Sequence, residues 1–210
     1  MMNKWIDLSV TLDNSFLVYP GDDPIGFTAV KAIERDEYNL QKMTTSMHVG
    51  THMDAMKHVL GDGQGIDSAD VNQFIGKARV LRPRVVNGVI STEDIANGLM
   101  GNQKILILDT RHSVYLNRKE YYNQPKFEKG VVDVLVEHEI QVIGFDLPSP
   151  EYVNGHFLNM HRDLMNHGIY IIENLTNLEQ LDDVVDFIGL PLKISGMDGS
   201  MIRAVAKNIG

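Results

Sequence analysis

Three of the eight histidines, at positions 48, 52 and 58, lie within eleven residues of one another together with the carboxylate of Asp54, in the stretch Met47 to Val59. Imidazole and carboxylate are donors that a divalent ion such as zinc takes. The residues leading in, Met43-Thr44-Thr45-Ser46-Met47, favour extended chain, and Gly50 argues against a stable helix. On a strand His48, Gly50, His52 and Asp54 share one face, while Met47, Val49, Thr51 and Met53 share the other. On a helix the two histidines would still align, but Asp54 would turn about a third of a turn away. Two imidazoles and a carboxylate are costly to bury unless something satisfies them, and a metal ion does so for all three at once. In a flat strand His48 and His52 would stand roughly 13 Å apart, too far to meet on one ion, so the strand must bend, and Gly50 is where it can. A turn of helix after Asp54 would fold His58 back beside the site as a proton carrier, without forcing it to be a ligand. Val49 follows His48, so the His-Glu-x-x-His signature of the zincin proteases is absent.

The 210 residues suffice for one domain with a sizeable core, and the composition, 43% hydrophobic and 22% charged, is that of a globular protein. A net charge of -9 speaks against nucleic-acid or anionic-membrane partners. The absence of cysteine excludes disulfides and thiolate metal sites. No long apolar stretch suggests a signal peptide or a membrane span, and a cytoplasmic protein is expected.

The elements that must position the histidines divide the chain in two. The first part reads as β-rich, with short strands at Trp5 to Thr11 and Ser15 to Tyr19, a turn at Pro20 to Pro24, and a long hairpin of Phe27 to Ile33 against Tyr38 to Met53. The second arm of that hairpin would deliver the histidine stretch. Asp67 or Ser68 could cap a short helix through Phe74, and Ala78 to Val86 reads as a strand that Pro83 places at an edge. Ser91-Thr92-Glu93-Asp94 reads as an N-cap for a helix to about Leu99. From Lys104 the rhythm changes: Ile105 to Leu108, Val142 to Phe145 and Ile169 to Ile172 are nearly all-apolar, as in strands buried on both faces. Helical stretches at Gly130 to His138 and Phe157 to His167 separate them, the latter closed by Gly168. This alternation predicts an α/β fold, a single-domain mixed sheet with covering helices. Asp109 and Asp146 follow buried strands, the usual place for a site, although each alone more often caps a loop. His161 lies within the second helix, and Glu173, directly after four apolar residues, is a carboxylate that a metal could hold.

The run His48-Val-Gly50-Thr51-His52-Met-Asp54-Ala-Met-Lys-His58 resembles the HxGTHxDxPxH signature of the cyclase family, which includes bacterial kynurenine formamidases and isatin hydrolases. The likeness extends to Asp7-Leu8-Ser9, Tyr19-Pro20-Gly21-Asp22, Gly144-Phe145-Asp146 with Ser149, and His161 followed by Ile171-Ile172-Glu173-Asn174-Leu175. It implies a metal-dependent hydrolase of swivelling β/β/α fold, a homo-oligomer such as a dimer or tetramer. By that resemblance His48, His52 and Asp54 would hold one divalent ion, zinc or manganese. Asp54, His161 and Glu173 would hold a second where the site is binuclear, and His58 would be the acid/base. Met56 stands where the signature has proline, and Pro150 follows Ser149 where a formamidase more typically has an acidic residue further along.

The chemistry expected is hydrolysis of a carbon–nitrogen amide bond in a small molecule, with N-formylkynurenine the leading substrate by resemblance and a cyclic amide the alternative. Trp5, Phe16 and Tyr19 lie in segments that could supply a flat wall for an aryl group. Two histidines and a carboxylate also make the facial triad of a non-haem Fe(II) oxygenase, and a third reading is a non-catalytic metal-binding protein.

Overall fold

The computed structural model describes residues 4–209. Its centre is four parallel strands side by side, Ile75–Leu81, Ile105–Leu108, Val142–Phe145 and Tyr170–Glu173. Side chains alternate across a strand, so Ile105 and Ile107 enter one apolar core and Leu106 and Leu108 another. That double burial is why these strands carry no polar alternation. Beyond Ile75–Leu81 the sheet continues antiparallel through Val184–Ile188, Val205–Asn208 and Ile6–Asp7. Beyond Tyr170–Glu173 it continues antiparallel through His52–Asp54 and Gly199–Met201, for nine strands in all.

The two faces of this sheet are covered differently. Leu106, Leu108, Ile143 and Phe145 pack beneath the helices Thr92–Gly98, Val131–Glu137 and Asn159–Asn166, through Ile95, Leu135 and Leu164 among others. On the opposite face the sheet curls over itself, so that Ile107, Val142 and Ile172 meet Leu8, Met53, Phe187 and Ala206 from its flanks. The helix ends follow the sequence signals. Ser91 accepts a hydrogen bond from the Glu93 N–H at 3.1 Å. Gly168, at φ +72°, ends the third helix in a Schellman motif, its own N–H reaching the Met165 carbonyl and that of Ile169 the Leu164 carbonyl.

Several expectations require correction. The long hairpin is shorter: Gly26–Lys31 pairs with Leu40–Thr44 as a separate two-stranded sheet, and of the histidine stretch only His52–Asp54 is a strand, in the large sheet. The strand expected over Ala78 to Val86 runs Ile75–Leu81 and is internal, because Pro83 falls beyond its end and removes no ladder hydrogen bond. Only Ile6–Asp7 of the first expected strand pairs, and Ser15 to Tyr19 is irregular chain. The segment before Phe74 forms two short 3₁₀ turns, capped by Asp70 rather than by Asp67 or Ser68.

Candidate metal centre

The strand His52–Asp54 is hydrogen-bonded on both sides, and its registers assemble the site. Glu173 stands opposite His52, and Gly199 opposite Asp54. Directly opposed residues share a face, so His52, Asp54 and Glu173 point together while Met53 fills the core behind them. His161 reaches the same point from the helix Asn159–Asn166. Gly50, at φ +65°, makes the bend that returns His48 to the cluster, so the two histidines do not lie on one continuous strand. Gly199 admits His48 closely: a Cβ there would lie 2.9 Å from His48 Cε1. The 3₁₀ turn Met56–His58 stacks His58 on His48 with ring centroids 4.0 Å apart, and it forms with methionine at the position of the signature's proline.

Asp54 sits at the middle with its two oxygens facing different partners. Oδ1 lies 2.8 Å from His48 Nδ1 and 3.3 Å from His52 Nε2, and Oδ2 lies 3.6 Å from His161 Nε2. Glu173 spans both sides, Oε2 being 3.4 Å from His52 Nε2 and Oε1 3.3 Å from His161 Nε2. His52, Asp54, His161 and Glu173 are all buried, yet His52 Nε2 and Asp54 Oδ2 have no aligned hydrogen-bond partner. Orphaned buried donors and acceptors of this kind are expensive. A divalent cation between them would satisfy them together, and a nitrogen–oxygen donor set without sulfur suits zinc or manganese.

The charges respond to this crowding. Burial disfavours the His48 imidazolium, but hydrogen bonds to Asp198 and Asp54 outweigh it and raise its pKa to about 9. For His52 burial is likewise outweighed, here by Asp54 and Glu173, which hold its pKa above the usual histidine value. The imidazoles in turn hold the Asp54 carboxyl well below the ordinary range despite its burial. His58 moves the other way: burial, helped by neighbouring His48 and His161, lowers its pKa although Asp54 pulls upward. Unlike His48 and His52, it is displaced toward the neutral form.

A second layer of hydrogen bonds holds the candidate residues in place. The Gly50 carbonyl accepts from His52 Nδ1 at 2.8 Å and from the Asn174 side-chain amide at 2.9 Å. Thr51 Oγ1 donates to the Asn174 carbonyl, and the Tyr121 hydroxyl to Asn174 Oδ1. The cluster forms the floor of a cavity of about 270 Å³ whose walls include Phe16, Tyr19, Tyr122 and Phe157.

All six candidate residues, His48, His52, Asp54, His58, His161 and Glu173, therefore converge. Asp109 and Asp146 do not join them. Asp109 faces Arg82 and Arg111, and Asp146 accepts from the Thr110 and Ser113 backbone N–H groups and the Thr110 hydroxyl, holding a loop. Trp5 is absent from the cavity wall that Phe16 and Tyr19 do line. Tyr122, Phe157 and Asp198 were not foreseen at the site, and Asn174 entered only as part of the family resemblance, without a role. Asp198 touches His48 from 150 residues away, and no local spacing signals it.

Comparison with known proteins places the chain in a family. Residues 6–152 match the model of the family described as putative cyclase. The kynurenine formamidase of Bacillus cereus is 31% identical over 208 residues, covering 99% of each chain, and that of Bacillus mycoides is 31% identical over 209 residues, covering 99% of each chain. Among solved structures, isatin hydrolase A from Labrenzia aggregata superimposes with a TM-score of 0.84 at 22% identity, covering 99% of this chain and 94% of that one. A protein described as a potential metal-dependent hydrolase with cyclase activity gives 0.82 at 20% identity, covering 99% and 98%. The chain belongs to the cyclase family, with the kynurenine formamidases among its relatives.

Proposed function

We propose that the chain hydrolyses an aryl formamide, with N-formylkynurenine as the leading substrate and a cyclic amide such as isatin as the alternative. The enzyme class, a metal-dependent amidohydrolase acting on carbon–nitrogen bonds other than peptide bonds, follows from kinship over the whole chain. It displaces the oxygenase reading. The observation that carries the proposal is the pair of unpartnered buried atoms, His52 Nε2 and Asp54 Oδ2, at the floor of an aromatic-walled cavity.

In this reading His48, His52, Asp54, His161 and Glu173 would hold one or two divalent ions, zinc first and manganese second. Such an ion lowers the pKa of a bound water from 15.7 to about 7 and polarises a carbonyl. The rest falls to the chain's own residues. Tyr19 and Phe157, neighbouring rings with centroids 6.3 Å apart, line the cavity and would offer an aromatic wall to an aryl ring. His58, kept neutral by burial, accepts the proton as water adds to the carbonyl carbon. As the carbon–nitrogen bond breaks, it returns that proton to the leaving amine nitrogen, so the products are a carboxylic acid and an arylamine. The protein is proposed to be one hydrolase domain, cytoplasmic, and a dimer or tetramer. No helix among the described residues is long and apolar enough to cross a membrane.

The test is a turnover assay of N-formylkynurenine and isatin on zinc-loaded, manganese-loaded and metal-stripped protein. Metal-dependent hydrolysis of the formamide supports the proposal. A loaded protein inert towards both amides contradicts it.

A further inference from the structure

Two carboxylates bracket the His48 ring. Nδ1 lies 2.8 Å from Asp54 Oδ1 and Nε2 lies 2.9 Å from Asp198 Oδ2. In the neutral ring that an ion requires, either nitrogen could carry the one remaining proton, and which one does decides the direction in which the ring offers its lone pair. The surroundings differ sharply on the two sides. The Asp54 side chain is 1% exposed, and its other oxygen is unpartnered; the Asp198 side chain is 42% exposed and can be solvated. The imidazoles of His52 and His161 also gather around Asp54, on the buried side.

Strand pairing puts Asp198 in this place. The Ala55 N–H donates to the Asp198 carbonyl at 2.9 Å, and the next residue, Gly199, lies opposite Asp54 in the sheet. Without a side chain, Gly199 lets the His48 ring lie against the backbone, so the ring is seated between the edge strand and Asp54. His58 stacks on the outer face of His48, its Nδ1 3.6 Å from the same Asp198 oxygen. One carboxylate thus lies against both the partly buried ligand candidate His48 and the proton carrier.

We infer that Asp198 is a positioning residue: it accepts the Nε2–H of His48, fixes that tautomer, and leaves Nδ1 free to bind an ion on the Asp54 side. A ligating histidine whose other ring N–H is held by a carboxylate is both oriented and made more basic. The same oxygen borders His58, and so ties the orientation of the proton carrier to that of the ligand. This inference rests on the metal-site reading proposed above.

Zinc affinity of the full chain is measured by competition with a chromophoric chelator, for the parent protein and for Asp198→Asn. Asparagine keeps the size but loses the charge, and weaker zinc binding by about 10–100-fold is expected, as for other partners of ligating histidines. The melting temperature of the metal-free variant should stay within about 2 °C, since partly exposed side chains contribute little to stability. A merely structural role would lower that temperature and spare the affinity. Zinc-loaded parent protein labelled with ¹⁵N-histidine gives an independent readout, in which His48 should carry its proton on Nε2. A proton on Nδ1 overturns the inference even if the variant fails to fold, as does unchanged affinity in a folded Asp198→Asn. A parent protein that takes up no zinc overturns the metal site and this inference with it, whereas zinc uptake unaffected by the substitution overturns the inference alone.

Discussion

Replacing Gly50 by alanine separates the cost of a backbone bend from its use. Gly50 sits at φ +65°, where an L-residue is disfavoured by about 1–2 kcal/mol. A Cβ there would also lie 2.7 Å from Leu12 Cδ2, the far end of a partly buried side chain that can turn aside. Gly50→Ala should therefore lose about 1.5 kcal/mol, a fall of about 3–6 °C in Tm for a chain of this size. Gly88 provides the control. It has φ +75° in the turn joining two short strands, with no atom within 4 Å of an added Cβ. Gly88→Ala should fall by a similar amount. The two differ at the metal site, because the Gly50 carbonyl accepts from both His52 Nδ1 and Asn174 and Gly88 touches neither. Thermal melts of metal-free protein and chelator-competition titrations with zinc report the two effects separately. Gly50→Ala should bind zinc about 10–100-fold more weakly, the scale seen when a ligand's hydrogen-bond partner is disturbed, and Gly88→Ala should bind it normally. Equal zinc affinity in the two variants would refute the claim that this bend positions His52.

Other consequences can be checked directly. His58→Ala should keep its metal but lose about 10²–10⁴ in kcat, measured on the formamide at saturating zinc. Near-normal turnover would remove His58 from the mechanism. Stripping the ion with a chelator should lower the melting temperature, since an ion at about 100 times its Kd stabilises by about 2.7 kcal/mol, and readdition should restore it. Ile107→Ala, at a position fully buried in the central strands, should reduce stability in urea by about 2–5 kcal/mol while the refolded protein still binds zinc.

The central strands were legible because double burial writes itself into composition: Ile105 to Leu108 and Val142 to Phe145 contain no polar residue and fall where the sequence places them. Helix limits were legible from Ser91 and Gly168, whose roles are local. His52 and Asp54 were paired correctly because a two-residue spacing on a strand shares a face. His48 reaches the cluster through the bend at Gly50, the place where the sequence required one because a flat strand would hold the two histidines apart. The first half of the chain was read less well. Extended-looking segments such as Ser15 to Tyr19 find no partner strand and become cavity wall, because pairing is decided by distant chain rather than by local preference. Asp198 was invisible for the same reason: only the pairing of Gly199 with Asp54 brings it to His48.

The central claim is that this cluster holds a divalent ion. Its most direct test is metal content per chain in gently purified protein, prepared without chelator or nickel affinity resin, beside His52→Ala. Near-stoichiometric zinc or manganese in the parent and its loss from the variant are predicted. A metal-free parent that also fails to bind added zinc or manganese would contradict the account.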